Sequence, residues 1–140
     1  AKSSSDSRNR APYFLDFARR AKTATSIPIM VTGGFKRREQ VVKALASGAS
    51  DAVGLARAMV LDPALANTWL SEAAGDPDFP MFNNAVAGGI TAWYTMRLTA
   101  LGNDREKMYQ LDIPTAMKLY EDRDTRRAAQ WRQRFSSEAY

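Results

Sequence analysis

The sequence predicts an α/β fold built on a parallel strand pair, and three features predict it. An apolar run, Ile29 to Thr32, ends in a glycine pair, Gly33-Gly34. Runs without alternation mark strands covered on both faces, and such strands are usually parallel. A helical segment then closes at Ser47-Gly48, and a second apolar run, Ala52 to Leu55, leads into Ala56-Arg57. A strand–helix–strand crossover returns the chain to its starting end, so both strands finish on one edge of the sheet.

Taken in order, residues 1–11 are polar and basic without periodicity, a flexible terminus. Pro12 suits the first turn of a helix whose apolar positions are Tyr13, Phe14, Phe17, Ala18 and Ala21. Arg19, Arg20 and Lys22 lie toward its C-terminal end, where cations offset the dipole, and it should stop near Thr25, before Pro28. After the first strand, Lys36-Arg37-Arg38-Glu39 opens a second helix with Val41, Val42, Ala44 and Leu45 inward. Ser47-Gly48 ends it, glycine being suited to the left-handed conformation. Beyond the second strand, Ala58 to Leu61 form a short turn ended by Asp62-Pro63, and Pro63 to Ala73 read as a helix with Leu65, Trp69 and Leu70 inward. Gly75-Asp76-Pro77-Asp78-Phe79-Pro80 is a breaker cluster, and residues 75–89 read as a linker. Ile90 to Leu101 and Pro114 to Phe135 then give two helices separated by Gly102-Asn103-Asp104. The organisation expected is a segment of strands and helices over 12–74, the linker, and a helical segment over 90–140. Two parallel strands do not make a free-standing sheet. Either copies of the chain complete the sheet or the chain is a piece of something larger.

Composition narrows the chemistry. The 140 residues suffice for one modest core, with 45% hydrophobic and 25% charged residues. There is no cysteine, which excludes disulfides and thiolate chemistry, and no histidine, which removes the commonest general base and metal ligand. No metal site is expected. No run approaches ~18 apolar residues, and the N-terminal stretch is not a secretory signal, so a cytoplasmic protein without a membrane span is expected. The net charge of +5 is uneven: residues 1–70 carry 11 Lys and Arg against 5 Asp and Glu, residues 71–140 carry 9 against 10. No basic stripe with interleaved aromatics is evident, so nucleic acid is not an expected partner.

The two strand tips carry the binding signal. Backbone N–H groups at Gly33-Gly34, a helix N-terminus and the fixed charge of Arg57 on one sheet edge suit a phosphate. Thr32 can add its hydroxyl or serve as a strand-end residue. Lys36, Arg37 and Arg38 read as solvated, Asp51 as a cap or turn residue, and Trp69, Trp93, Tyr94 and Trp131 as core.

The run SIPIMVTGGF, then a helix, then LASGASDAVGLARAMVLDPAL resembles the C-terminal part of the old yellow enzyme family of FMN-dependent NAD(P)H oxidoreductases. The lead-in APYFLDFARRAK resembles the helix before that family's seventh strand, and GGITAWYTMRLTALG more weakly resembles its C-terminal helices. The resemblance implies the C-terminal part of a (β/α)8 TIM barrel, contributing its last two parallel strands with flanking helices, plus C-terminal helices. It implies that Thr32, Gly33 and Gly34 of VTGGF and Ala56 and Arg57 of GLAR hold the phosphate of FMN, the usual barrel phosphate site. Many relatives have glycine where Ala56 stands. The family's substrate-anion pair, its proton-donor tyrosine and most flavin-ring contacts come from earlier in the barrel, so no catalytic residue is assigned to this chain, and this portion alone is not expected to be a competent enzyme.

Two functions follow. In one, the chain is the FMN-phosphate-binding part of a flavin-dependent NAD(P)H oxidoreductase of ene-reductase type. In the other it is a non-catalytic half-barrel module that self-associates and at most binds phosphate-bearing ligands. The partners expected are the flavin phosphate and either a second copy or a complementary barrel half, because exposed strand edges invite pairing.

Overall fold

A computed structural model describes residues 14–71, 75–83 and 85–135. The chain divides into two compact units, Ala1–Met81 and Phe82–Tyr140, here called the strand unit and the helical unit. Residues 1–13, with Pro12 and Tyr13 of the expected first helix, lie outside the described residues, as does Ala73.

The strand unit runs α1 (Leu15–Ala24), β1 (Met30–Thr32), α2 (Arg38–Ala46), β2 (Ala52–Gly54), α3 (Arg57–Leu61) and α4 (Leu65–Leu70). The strands pair in parallel, Met30 with Ala52, Val31 with Val53 and Thr32 with Gly54. Helix α2 stops as Ser47-Gly48 predicts, with Gly48 at φ +67°. The architecture is thus α/β, with mostly helices and a two-stranded parallel sheet among the described residues, compatible with part of a barrel.

Val31 points from β1 into a core with Ala18 of α1, Ala44 of α2 and Phe35, bordered by Leu15, Ile29, Val41, Val53 and Leu55. A second cluster joins Ala58, Leu65 and Trp69, with Val41, Leu55 and Phe79 packed against it. The expectation of strands covered on both faces does not hold. Side chains alternate across a strand, and among the described residues helices cover only the Val31 face, so Met30 on the other face is 66% exposed. The helix faces also differ from the expectation. Phe14, Phe17, Val42 and Leu45 are exposed, whereas Leu15, Ala18, Val41 and Ala44 face the core. In α4, Leu65 and Trp69 share a face at i, i+4, and Leu70, one step of about 100° further round, is exposed.

The helical unit contains α5 (Gly89–Leu101), a single 3-10 turn (Glu106–Met108) and α6 (Ile113–Phe135). Ala92, Trp93, Tyr94 and Ala116 are buried. The Trp93 ring meets those of Phe82, Tyr94 and Tyr109 edge-on, with centroids 5.2, 5.1 and 5.1 Å away. Its indole N–H donates to the Leu111 carbonyl at 2.9 Å, and the Tyr109 hydroxyl donates to the Trp93 carbonyl at 2.6 Å. These two bonds bring the segment after α5 back alongside it. Asp112 starts α6 by accepting from the Thr115 amide at 2.8 Å. Trp131, expected in a core, is exposed near the end of α6.

Candidate functional site

β1 ends at Thr32 and β2 at Gly54, and these two are register partners. The chain therefore leaves the sheet at one edge from both strands, which lie about 4.8 Å apart. Thr32, Gly33 and Gly34 stand at the first tip, Ala56 and Arg57 just beyond the second. All five residues singled out by the sequence share this edge.

Each tip has a local reason for its shape. Gly33 and Gly34 have φ of +111° and +82°, values that side-chain-bearing residues rarely adopt, and so the turn requires glycine twice. The Phe14 ring closes one side of the turn, with its Cε2 3.5 Å from where a Gly33 Cβ would stand. Thr32 lies over the neighbouring strand: a Cβ on Gly54 would fall 2.1 Å from Thr32 Oγ1. Glycine at position 54 is what allows a threonine opposite it. Ala56 has φ −96° and ψ −77° and caps α3, so it sits at negative φ, a conformation open to alanine. Arg57 is the first residue of α3, and it is exposed.

The helix N-terminus that follows Gly33-Gly34 is already occupied from within. Gln40 Oε1 accepts from the amides of Lys36 at 2.8 Å and Arg37 at 3.0 Å. Asp76 Oδ1 accepts from the Arg38 amide at 2.8 Å. A carboxylate here offsets the positive end of the α2 dipole and the three cations beside it. Two of those cations are not simply solvated, unlike the expectation. Arg38 Nε donates to the Trp69 carbonyl at 2.8 Å, and the Lys36 ammonium lies 5.3 Å from the Phe79 ring centroid. Arg37 alone of the three is exposed.

The opposite edge of the sheet is structural. Asp51 Oδ1 pairs with Lys22 of α1 at 2.5 Å, and its Oδ2 accepts the Ile29 amide at 2.8 Å. The Lys22 bond, then the Ile29 amide, hold the Asp51 carboxyl below its ordinary value. Asp51 thus ties helix and strand starts together, a chain-turning role and not that of a base.

The sequence reading missed Phe14 against Gly33, and Gln40 and Asp76 on the α2 amides. Gln40 had a signal, since it stands three residues after Arg37, where a capping-box glutamine reaches back. Asp76 had none, lying 38 residues from the amide it binds. Among the described residues no group of three potential metal ligands gathers, and no helix is long and apolar enough to cross a membrane.

Comparison with known proteins gives the site its context. The chain is 32% identical over 99 residues to an NADH-dependent flavin oxidoreductase of Hypocrea jecorina, a match covering 70% of this chain and 22% of that protein. It is 41% identical over 58 residues to an NADH-dependent flavin oxidoreductase of Neonectria sp., covering 41% of this chain and 8% of that protein. A flavin oxidoreductase of Talaromyces variabilis, also NADH-dependent, is 36% identical over 61 residues, covering 43% of this chain and 15% of that protein. The chain thus spans about a fifth or less of the length of these curated relatives. No family model matches the chain, and no solved structure does. The resemblance to that family is borne out: the chain is a homologue of NADH-dependent flavin oxidoreductases, as a C-terminal portion of such an enzyme would be.

Proposed function

We propose that this homologue of NADH-dependent flavin oxidoreductases supplies the FMN-phosphate arm of such an enzyme, as the last two strand–helix units of a barrel. The observation that carries the reading is the shared exit edge of β1 and β2, with Gly33-Gly34 on one tip and Arg57 on the other. The fit to a phosphate comes from two successive glycines with positive φ, whose backbone no Cβ shields, and from a guanidinium next to the neighbouring tip. Thr32, Gly33, Gly34, Ala56 and Arg57 would hold the phosphate. The flavin, when bound, supplies the hydride chemistry, and the protein supplies binding and orientation. The α2 amides, taken by Gln40 and Asp76, are not part of this site; the phosphate is met by the glycine turn and Arg57.

The test compares FMN with riboflavin, which lacks the phosphate. Charge-assisted hydrogen bonds contribute about 1.5–3 kcal/mol, so FMN should bind at least about tenfold tighter, and Arg57→Ala should remove most of that preference. Equal affinity for the two ligands in the unaltered chain overturns the proposal.

A second reading has its own support. The uncovered face and outer edges of the β1–β2 pair, with Met30 exposed on them, suit a module that associates with another copy or a complementary half-barrel. A sedimentation coefficient that rises with concentration supports it, and a constant monomeric value contradicts it.

A further inference from the structure

Helix α6 is a core element over its first half and something else over its second. A methyl placed on Gly89, at the start of α5, would lie 2.6 Å from Ile113 Cγ2 and 3.7 Å from Met117 Sδ, so α6 begins packed against the first turn of α5. Ala116 beside them is fully buried. Yet α6 has 23 residues against the 13 of α5, about 15 Å of additional helix. Every residue from 125 to 135 is exposed.

The stripe that packs on α5 does not stop where the packing stops. Ile113, Met117, Tyr120, Asp124, Ala128, Trp131 and Phe135 recur at steps of four and three, the spacing of one helix face. Its distal members, Trp131 and Phe135, are 65% and 45% exposed, with ring centroids 5.1 Å apart. At about 100° per residue, Arg127 and Arg134 fall on one flank of this stripe and Arg132 on the other. The Arg134 guanidinium lies 5.6 Å from the Phe135 ring. Residues 123–135 contain five arginines and one aspartate.

We propose that the distal half of α6 is a docking surface for an acidic amphipathic helix of a partner protein. Three considerations select that occupant. The face continues the α5–α6 interface at helix-packing spacing, so a second helix is the shape it accommodates. A tryptophan on a helix face flanked by arginines has the composition of protein-interface hot spots. The flanking charge calls for carboxylates: a second copy would set its own arginines against these, and like charges facing each other are unfavourable. A lipid surface is a poorer match, because membrane binding scales with buried apolar area and two aromatic side chains in about three turns offer little.

The test uses the whole chain and a synthetic helical peptide with a leucine seam flanked by glutamates, beside the same peptide with lysines. Trp69 and Trp93 are buried, so a change in tryptophan emission on binding reports Trp131. The glutamate peptide should shift emission to the blue and bind at least about tenfold tighter than the lysine peptide. Phe135→Ala should weaken it, Trp131→Ala should abolish it by calorimetry, and the pair Arg127→Glu with Arg134→Glu should reverse the preference. All four positions are exposed, and unchanged circular dichroism confirms the fold of each variant. Equal binding of the two peptides, or no binding of either, overturns the proposal. So does a blue shift with phosphatidylserine-containing phosphatidylcholine vesicles but not with the glutamate peptide, or a chain dimer that Trp131→Ala dissociates.

Discussion

The helical unit closes its core on itself, while the strand unit leaves one side of its sheet open. In the first, Trp93 is ringed by Phe82, Tyr94 and Tyr109 and hydrogen-bonded at both its indole and its carbonyl. In the second, a strand of three residues buries Val31 on one side and exposes Met30 on the other. The contrast teaches where each unit's information lies. The aromatic core of the helical unit is made by residues within about thirty positions of one another. The sheet needs covering that the described residues do not supply, consistent with relatives several times longer than this chain.

Truncating the two cores should therefore have unequal effects. Trp93→Ala should cost about 3–5 kcal/mol, within the range for large aromatic deletions, read by urea unfolding of the helical unit. Val31→Ala should cost about 2 kcal/mol in the strand unit. A Trp93 effect smaller than that of Val31 would break the comparison.

The sheet can be probed without touching a core. Gly54→Ala forces a methyl onto Thr32 Oγ1 and should cost about 1–3 kcal/mol as an overpacking effect. Adding Thr32→Ala should restore most of it, because the obstructing hydroxyl is gone. A double variant no more stable than Gly54→Ala alone would mean that the strands do not pair in this register.

Smaller effects separate the units by pH. Burial raises the Tyr109 hydroxyl from 10.0 to about 12. A raised folded value means stability fully present below pH 10 and lost as pH climbs toward about 12, so the helical unit should have an alkaline limb that Tyr109→Phe flattens. Asp51 is shifted the other way, chiefly by its bond to Lys22. Its contribution is present above the ordinary value of 3.8 and lost as pH falls through the lower folded value, so Asp51→Asn should flatten the acid limb of the strand unit. Asp112, held low by Thr115, adds a similar acid limb to the helical unit.

Much of the arrangement was legible in the sequence, because it rests on short-range signals. The parallel pair, the glycine turn, the Gly48 stop and the order of helices follow from apolar runs and breakers. Less legible was which apolar side chains turn inward. Phe17, Val42, Leu45 and Leu70 read as core from periodicity alone, yet each is exposed. Periodicity locates an apolar stripe only to within one helical step, and the choice is made by the partner surface. Trp131 and Phe135 extend a stripe beyond the helix that covers its first half, which spacing cannot reveal. At the candidate site, the shared edge of Gly33, Gly34 and Arg57 was readable from topology, whereas the Asp76 bond to the Arg38 amide spans a distance that no local pattern encodes.

The most direct measurement is a set of amide resonance shifts in the isotope-labelled chain, recorded with FMN, inorganic phosphate and riboflavin in turn. If the two strand tips form one phosphate site, the amides of Gly33, Gly34, Ala56 and Arg57 should move together with FMN and with phosphate, stay in place with riboflavin, and cease to respond in Arg57→Ala. Shifts confined to other residues, or the same shifts with riboflavin as with FMN, would contradict it.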